Sequence, residues 1–160
     1  MLAPPRDAGA ARLNRARQLA LLVPAVLLGG ALTSQYVGGL YPCEMCHWQR
    51  WPHAAAILLA LGAIMSPSTA PRTRALTLLA ALAIAVSGAI GLFHAGVEYG
   101  WWEGITTCTA GGATSLDDIL SVPLVRCDQV QWSLIGVSLA GYNAIISLGA
   151  AAYIAAKARR

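Results

Sequence analysis

The chain has 160 residues, of which 57% are hydrophobic and only 11% are charged, with a net charge of +4 at pH 7. Soluble domains carry about 25% charged residues, so this composition excludes an ordinary soluble fold and predicts an integral membrane protein. The basic residues lie at the ends of apolar runs rather than in one motif, which argues against nucleic-acid binding. The length predicts a single domain over residues 1–160.

Four apolar runs follow one another along the chain. The first, third and fourth have about the 20 residues that a bilayer core requires. The second is weaker, because its apolar part (54–65) has the length of a re-entrant segment, about 10–14 residues, unless polar residues from Trp48 onward are included. The fold class predicted is therefore an all-α membrane protein, a bundle of four transmembrane helices. The predicted spans are residues 19–36, 48–65, 75–94 and 134–156.

The charge distribution predicts the orientation of these spans. Nine of the eleven lysine and arginine residues precede the first run, lie between the second and third, or follow the fourth. Positive residues favour the cytoplasmic side, so both termini are predicted to lie in the cytoplasm. A re-entrant second run would break this pattern. A cleaved signal peptide is the alternative for the first run, but Ala31-Leu32-Thr33 is a poor cleavage site.

Two outer loops follow from this topology, at residues 37–47 and 97–131. Within the second loop, Ser115 is a candidate N-cap for a short amphipathic helix over residues 116–120. All four cysteines of the chain lie in the outer loops, on the oxidising side where disulfides persist. They form two pairs along the sequence, Cys43 with Cys46 and Cys108 with Cys127.

Cys43 and Cys46 form a C-x-x-C pair at the predicted start of the second helix, and Arg50 follows Cys46 by four residues. A helix N-terminus and a nearby guanidinium both lower the pKa of a thiol and make its sulfur reactive. A charge at this depth is costly and usually functional. Arg50 is therefore expected to face an electron-accepting ligand, with snorkelling to lipid headgroups as the alternative.

Two histidines lie at comparable depth. His94 closes the third span, and Glu98 follows by one helical turn, so the carboxylate can orient the imidazole. His94 is a candidate proton donor to a reduced acceptor, or else a polar residue that ends the helix. His53 has no such support from its neighbours and is interpreted as an interfacial residue.

Three other functions are compatible with some of these residues. The string from Cys43 to His47 matches the C-x-x-C-H signature of haem attachment, although a loop of this length offers no haem pocket. The four cysteines could bind zinc, but Cys108 and Cys127 lack the spacing of a zinc knuckle. The disulfides could also be purely structural and only brace the outer loops. No metal site is predicted.

Taken together, these segments resemble one family, the bacterial disulfide bond formation protein B (DsbB) family. The resemblance covers nearly all of residues 19–156 and depends on the two outer cysteine pairs, the C-x-x-C-x-x-x-R unit and the four spans. The segments that carry it are PCEMCHWQR (42–50), HAGVEYGWW (94–102) and CDQVQWS (127–133), followed by Gly136, Ser138 and Asn143.

The resemblance implies a thiol oxidase of the bacterial inner membrane that uses ubiquinone or menaquinone. It implies that Cys46 is the sulfur next to the quinone, with Arg50 beside the ring and His94 nearby. It further implies that Cys108 forms a mixed disulfide with a periplasmic DsbA-like thiol oxidase. Cys127 would be the disulfide mate of Cys108, and Cys43 would bridge transiently to Cys127.

Overall fold

The structure, a computed structural model, describes residues 6–106 and 125–159. These residues form four helices and one two-stranded antiparallel sheet, which confirms the helical class. The short helix predicted at residues 116–120 lies outside the described residues. The elements are α1 (Arg6–Tyr36), α2 (Glu44–Ile64), α3 (Pro71–Glu98), β1 (Ser133–Leu134), β2 (Val137–Ser138) and α4 (Leu139–Arg159).

The helices pack in a ring, because α2 and α4 each contact both α1 and α3. The larger of two buried clusters consists mostly of alanine side chains from all four helices. Small side chains let helix backbones approach closely, which is how helices associate in lipid. The helices therefore pack closely although this cluster contains few large side chains.

Three of the described helices are long and apolar enough to cross a membrane, and α2 is not among them. The three segments are Gly9–Tyr36, Pro71–Glu98 and Leu139–Arg159. Helix α2 has 21 residues, but Gln49, Arg50 and His53 reduce the apolarity of its first half. This helix corresponds to the run that is weakest in the sequence.

Helix α1 begins at Arg6 rather than at the predicted start of the apolar run, Leu19. The residues before Leu19 are rich in alanine and arginine, which are strong helix formers. The helix therefore continues beyond its apolar segment. Arg17 in this extension donates hydrogen bonds to the carbonyl oxygens of Ala63 (3.4 Å) and Ser66 (3.1 Å), at the C-terminal end of α2.

Helix α4 begins at Leu139, whereas the fourth apolar run begins at Leu134. The intervening residues form a hairpin in which Leu134 pairs with Val137 across a turn with positive φ at Ile135 (51°) and Gly136 (75°). Two such residues in succession give the turn that suits twisted strands. The hydroxyl of Tyr99 donates to the carbonyl of Gly136 and accepts from the amide of Ser138, both at 2.9 Å. These bonds fasten the hairpin to the end of α3.

Helices α3 and α4 approach each other closely at Gly88. A β-carbon at this position would lie 2.9 Å from both the Ser147 Cβ and the Leu148 Cγ. We expect Gly88→Val to lower the thermal stability of the protein in detergent, at a cost of about 1–3 kcal/mol, because the two helices must separate. The matched control is Gly29→Ala on α1, where a β-carbon meets nothing within 4 Å. Equal melting temperatures for the two variants would contradict this packing.

The two ends of the bundle differ in chemistry. The end of α1, the start of α2, the end of α3 and the start of α4 meet at one end, and the second buried cluster there contains Cys43, Met45, Val97 and Cys127. The opposite end carries basic residues of α1, α3 and α4. They are Arg12, Arg15, Arg17, Arg72, Arg74, Lys157 and Arg159.

Candidate functional site

Cys43 and Cys46 lie at the start of helix α2. Cys43 is its N-cap, with extended backbone (φ −76°, ψ 174°), and its sulfur accepts a hydrogen bond from the backbone amide of Cys46 at 3.3 Å. The two sulfurs lie 2.8 Å apart, within hydrogen-bonding distance. The helix start thus holds both sulfurs together, as the C-x-x-C spacing predicts.

The two thiols of this pair differ in acidity. The side-chain hydrogen bond with Cys46, together with burial, raises the pKa of Cys43 well above its ordinary value. The same hydrogen bond lowers the pKa of Cys46, which lies ahead of the predicted span 48–65. These opposite directions favour Cys46 over Cys43 as the thiolate of the pair. A sulfur with a lowered pKa is both a better leaving group and more often ionised.

His94 lies beside the cysteine pair near the end of α3. Its Nε2 atom is 3.5 Å from the sulfur of Cys43 and 3.8 Å from a carboxylate oxygen of Glu98. The neighbouring carboxylate, predicted from the four-residue spacing, is thus in place on a continuous helix. Ser138 in strand β2 donates a hydrogen bond to the other oxygen of Glu98. This bond connects the histidine through the carboxylate to the hairpin.

Cys127 packs against Cys43 in the second buried cluster, and its backbone interacts with the His94 ring. The hydroxyl of Thr106 donates to the Cys127 sulfur at 3.2 Å. The structure therefore brings together three of the four predicted sulfurs. Cys108 lies outside the described residues.

Arg50 extends from α2 toward α1. Its guanidinium donates to the side-chain oxygen of Gln35 (2.5 Å) and to the carbonyl of Ala31 (3.2 Å). Within residues 6–106 and 125–159, no carboxylate forms an ion pair with Arg50. Its positive charge is therefore not neutralised by a carboxylate of the described residues.

A cavity of about 280 Å³ opens between α1, α2 and α4 beside these groups. Both Cys46 and Arg50 line it, and α1 contributes apolar side chains to the same wall. Ligand sites are mostly apolar cavities with a few polar groups that fix orientation, and this cavity has that composition. Its other lining residues include Val26, Leu27, Leu28, Cys43, Gln49, His53, His94, Glu98, Trp132 and Asn143.

A buried polar network beneath the cysteines is the part of the site that the sequence analysis does not predict. Gln49 bonds to the Nδ1 atom of His94 (2.9 Å) and to Asn143 (2.8 Å), and Asn143 bonds to the Nε2 atom of His53 (2.9 Å). His53 is only 3% exposed, so its interpretation as an interfacial residue is wrong. An asparagine within an otherwise apolar helix is the signal that could have revealed the network.

The local geometry does not fit haem or metal ligation. Cys43 and Cys46 both line the cavity, whereas His47 is exposed and does not, so the histidine of the C-x-x-C-H string does not lie with its two cysteines. Cys43, Cys46 and His94 are close enough to form a metal site. However, Gln49 donates to His94 Nδ1, so the His94 proton lies on Nε2, the nitrogen that faces the sulfurs and that a metal would require.

Fold and site together define a membrane-spanning helical protein with a reactive cysteine pair at the mouth of a cavity. The chain matches the family described as disulfide bond formation protein DsbB over residues 14–157. It therefore belongs to the DsbB family, as the resemblance predicts, and the family supports a role as a disulfide oxidoreductase.

Two relatives carry the name Disulfide bond formation protein B. The one from Chromohalobacter salexigens is 33% identical over 130 residues, which cover 76% of each chain. The one from Methylococcus capsulatus is 32% identical over 144 residues, which cover 84% of this chain and 87% of the relative. No solved structure matches the chain significantly.

Proposed function

We propose that the protein is a quinone-linked thiol oxidase that reoxidises a periplasmic, thioredoxin-like thiol oxidase of the DsbA type. The observation that carries this proposal is the position of the Cys43–Cys46 pair between Cys127 on one side and the Arg50 cavity on the other. The Cys43–Cys46 pair thus has a third sulfur on one side, with which it can exchange a disulfide. On the other side it has a ligand cavity, to which it can pass electrons.

The first half of the relay is an exchange between disulfides. The partner's dithiol attacks the Cys108–Cys127 disulfide at Cys108 and leaves oxidised, and Cys108 and Cys127 become thiols. The Cys127 thiolate then attacks Cys43 of the Cys43–Cys46 disulfide, with Cys46 leaving as a thiolate. The lowered pKa of Cys46 favours this direction, because a less basic sulfur leaves faster. Cys108 next displaces Cys43 and restores the Cys108–Cys127 disulfide.

The cavity fits a quinone ring, ubiquinone or menaquinone, in size and in the chemistry of its walls. Arg50 would hold a ring oxygen, because its guanidinium donates strong hydrogen bonds to oxygen atoms that gain negative charge. Apolar side chains of α1 would pack on the ring and its tail. A bound quinone supplies an acceptor for two electrons and two protons, which are the number released when two thiols join in a disulfide.

His94 has a positioning role beside Cys43 in this proposal. Its Nε2 proton points at the Cys43 sulfur and Glu98, so it can stabilise a thiolate on Cys43 when Cys43 is displaced. Glu98 in turn limits the movement of the ring. His94 also lines the cavity, so its Nε2–H group is the one that can donate toward a reduced ligand.

We further propose that the protein is one integral domain (residues 1–160) of the bacterial inner membrane with four spans, α2 included. Both termini then lie in the cytoplasm and the cysteines in the periplasm. The basic residues at the end of the bundle opposite the cysteines support this orientation. The buried network explains why α2 tolerates polar residues at membrane depth, since their polar atoms bond to neighbouring helices.

Mass-spectrometric mapping of disulfides, combined with detection of co-purifying quinone, tests the proposal. We expect Cys43–Cys46 and Cys108–Cys127 in the resting protein, and a Cys43–Cys127 bond when Cys46 is replaced by serine. Ubiquinone or menaquinone should be present in the purified protein. Disulfides that never rearrange when a dithiol is added would instead indicate that they only brace the loops.

A further inference from the structure

His53 lines the cavity one helical turn below Gln49 and is used by no step described so far. The residue is only 3% exposed. A buried imidazole normally has both ring nitrogens bonded, because an unpaired buried polar atom is costly. In His53 one nitrogen is paired and the other is not.

The hydrogen-bond network determines which nitrogen of His53 carries the proton. Carbonyl oxygens only accept, so the Asn143 amide nitrogen must face the carbonyl of Ser87 (3.2 Å), and the Asn143 oxygen must face His53. That oxygen also accepts from the hydroxyl of Ser147 at 2.8 Å. The His53 Nε2 atom is therefore the protonated nitrogen and donates to Asn143.

The other nitrogen, Nδ1, is then an acceptor with a free lone pair. It is one of two buried side-chain atoms without a hydrogen-bond partner in the part of the chain that the structure describes. A hydroxyl group satisfies such an atom, whereas a carbonyl oxygen repels it. The cavity is thus lined by a donor at Arg50 and, one turn deeper on the same helix, by His53, whose buried Nδ1 atom has no partner.

We propose that His53 is a further ligand-binding residue, which accepts a hydrogen bond from a ring hydroxyl and so favours the reduced ligand over the oxidised one. This inference rests on the proposed function, because it takes the ligand to be a quinone. Arg50 binds either form, since a guanidinium donates to a carbonyl and to a hydroxyl oxygen alike. His53 distinguishes the two forms, since only the reduced ring has a hydrogen to donate.

The preference has a consequence for the direction of electron flow. When Cys43 and Cys46 form their disulfide, two electrons and two protons are released and reach the ring, whose two carbonyls become hydroxyls. A site that binds the product more tightly raises the reduction potential of the bound ligand. A tenfold difference in affinity corresponds to about 30 mV for two electrons. His53 would therefore favour disulfide formation.

The test uses the full-length protein in detergent with Cys46→Ser in every sample, so that no turnover occurs. Dissociation constants of a short-chain ubiquinone and of its quinol are measured for the protein that retains His53 and for two variants at this position. His53→Gln keeps a donor near the Nε2 position for Asn143 but removes the Nδ1 acceptor. His53→Asn places an amide oxygen near the Nδ1 position and should retain the preference.

We expect His53→Gln to weaken quinol binding about tenfold, the scale of one hydrogen bond, and to leave quinone binding within about twofold. His53→Asn should change the ratio of the two constants much less. Equal changes for both ligand forms in His53→Gln, or no change, would overturn the inference. If His53→Gln does not fold, His53→Leu replaces it in the comparison. A preference for quinol over quinone that is as large in His53→Leu as in His53→Asn would then overturn the inference. If neither form binds to the protein with His53 intact, the proposed function itself fails.

Discussion

Cys46→Ser should abolish quinone-dependent oxidation of a DsbA-like dithiol. Cys46 lines the cavity together with Cys43, and without Cys46 the Cys43 sulfur has no mate with which to form the disulfide that releases two electrons. Removal of a residue that reacts directly slows enzymes by roughly a thousandfold or more. The measurement is the rate of partner oxidation by the purified variant with added quinone.

The control for this experiment is His47→Ser, which changes the adjacent exposed residue of the same helix turn. It should retain the rate of the unmodified protein. Cys46→Ser should also accumulate the Cys43–Cys127 disulfide, since Cys43 has lost its own mate and Cys127 lies in the same buried cluster. A Cys46→Ser protein with normal activity would mean that the disulfides are only structural.

Arg50→Ala should raise the KM for quinone about 10- to 100-fold, with a much smaller effect on the KM for the partner. The guanidinium lines the cavity, and a hydrogen bond to a charged group contributes about 1.5–3 kcal/mol. The partner reacts at the Cys108–Cys127 pair, and Cys127 does not line the cavity that Arg50 lines. Steady-state kinetics with each substrate varied in turn separates the two effects.

Arg50→Lys keeps the charge but not the forked geometry, so its KM for quinone should fall between those of the unmodified protein and Arg50→Ala. Arg74→Ala, an exposed arginine at the opposite end of the bundle, should change neither constant. An unchanged quinone KM in Arg50→Ala would reject the ligand-binding role of this residue.

Hydropathy predicts the helices well, because lipid requires long apolar segments. It does not reveal the hairpin that precedes α4, since Leu134 and Val137 are as apolar as helix residues. What decides the local structure there is a turn with positive φ at Ile135 and Gly136, together with bonds to Tyr99 on α3. Such contacts join residues more than thirty positions apart and leave no periodic pattern.

The same distinction applies to the candidate site, where contacts within one helix are predictable from the sequence and contacts between helices are not. Spacing within one helix predicts the juxtaposition of Cys43 with Cys46 and of His94 with Glu98. The network of Gln49, His53 and Asn143 is not predictable in this way, because it joins residues of different helices. Whether His53 faces the membrane surface or the bundle interior depends on how α4 packs, and local sequence does not determine that packing.

The proposed relay requires one compartment to hold both cysteine pairs and the mouth of the cavity. The direct measurement is labelling with a membrane-impermeant maleimide of single cysteines introduced into a cysteine-free version of the chain. Tyr41→Cys and Ile105→Cys, at exposed positions beside the two cysteine pairs, should both be labelled from the periplasm of intact cells. Met65→Cys, exposed at the opposite end, should be labelled only after the membrane is opened. Labelling of Tyr41→Cys and Ile105→Cys from opposite sides would contradict the relay.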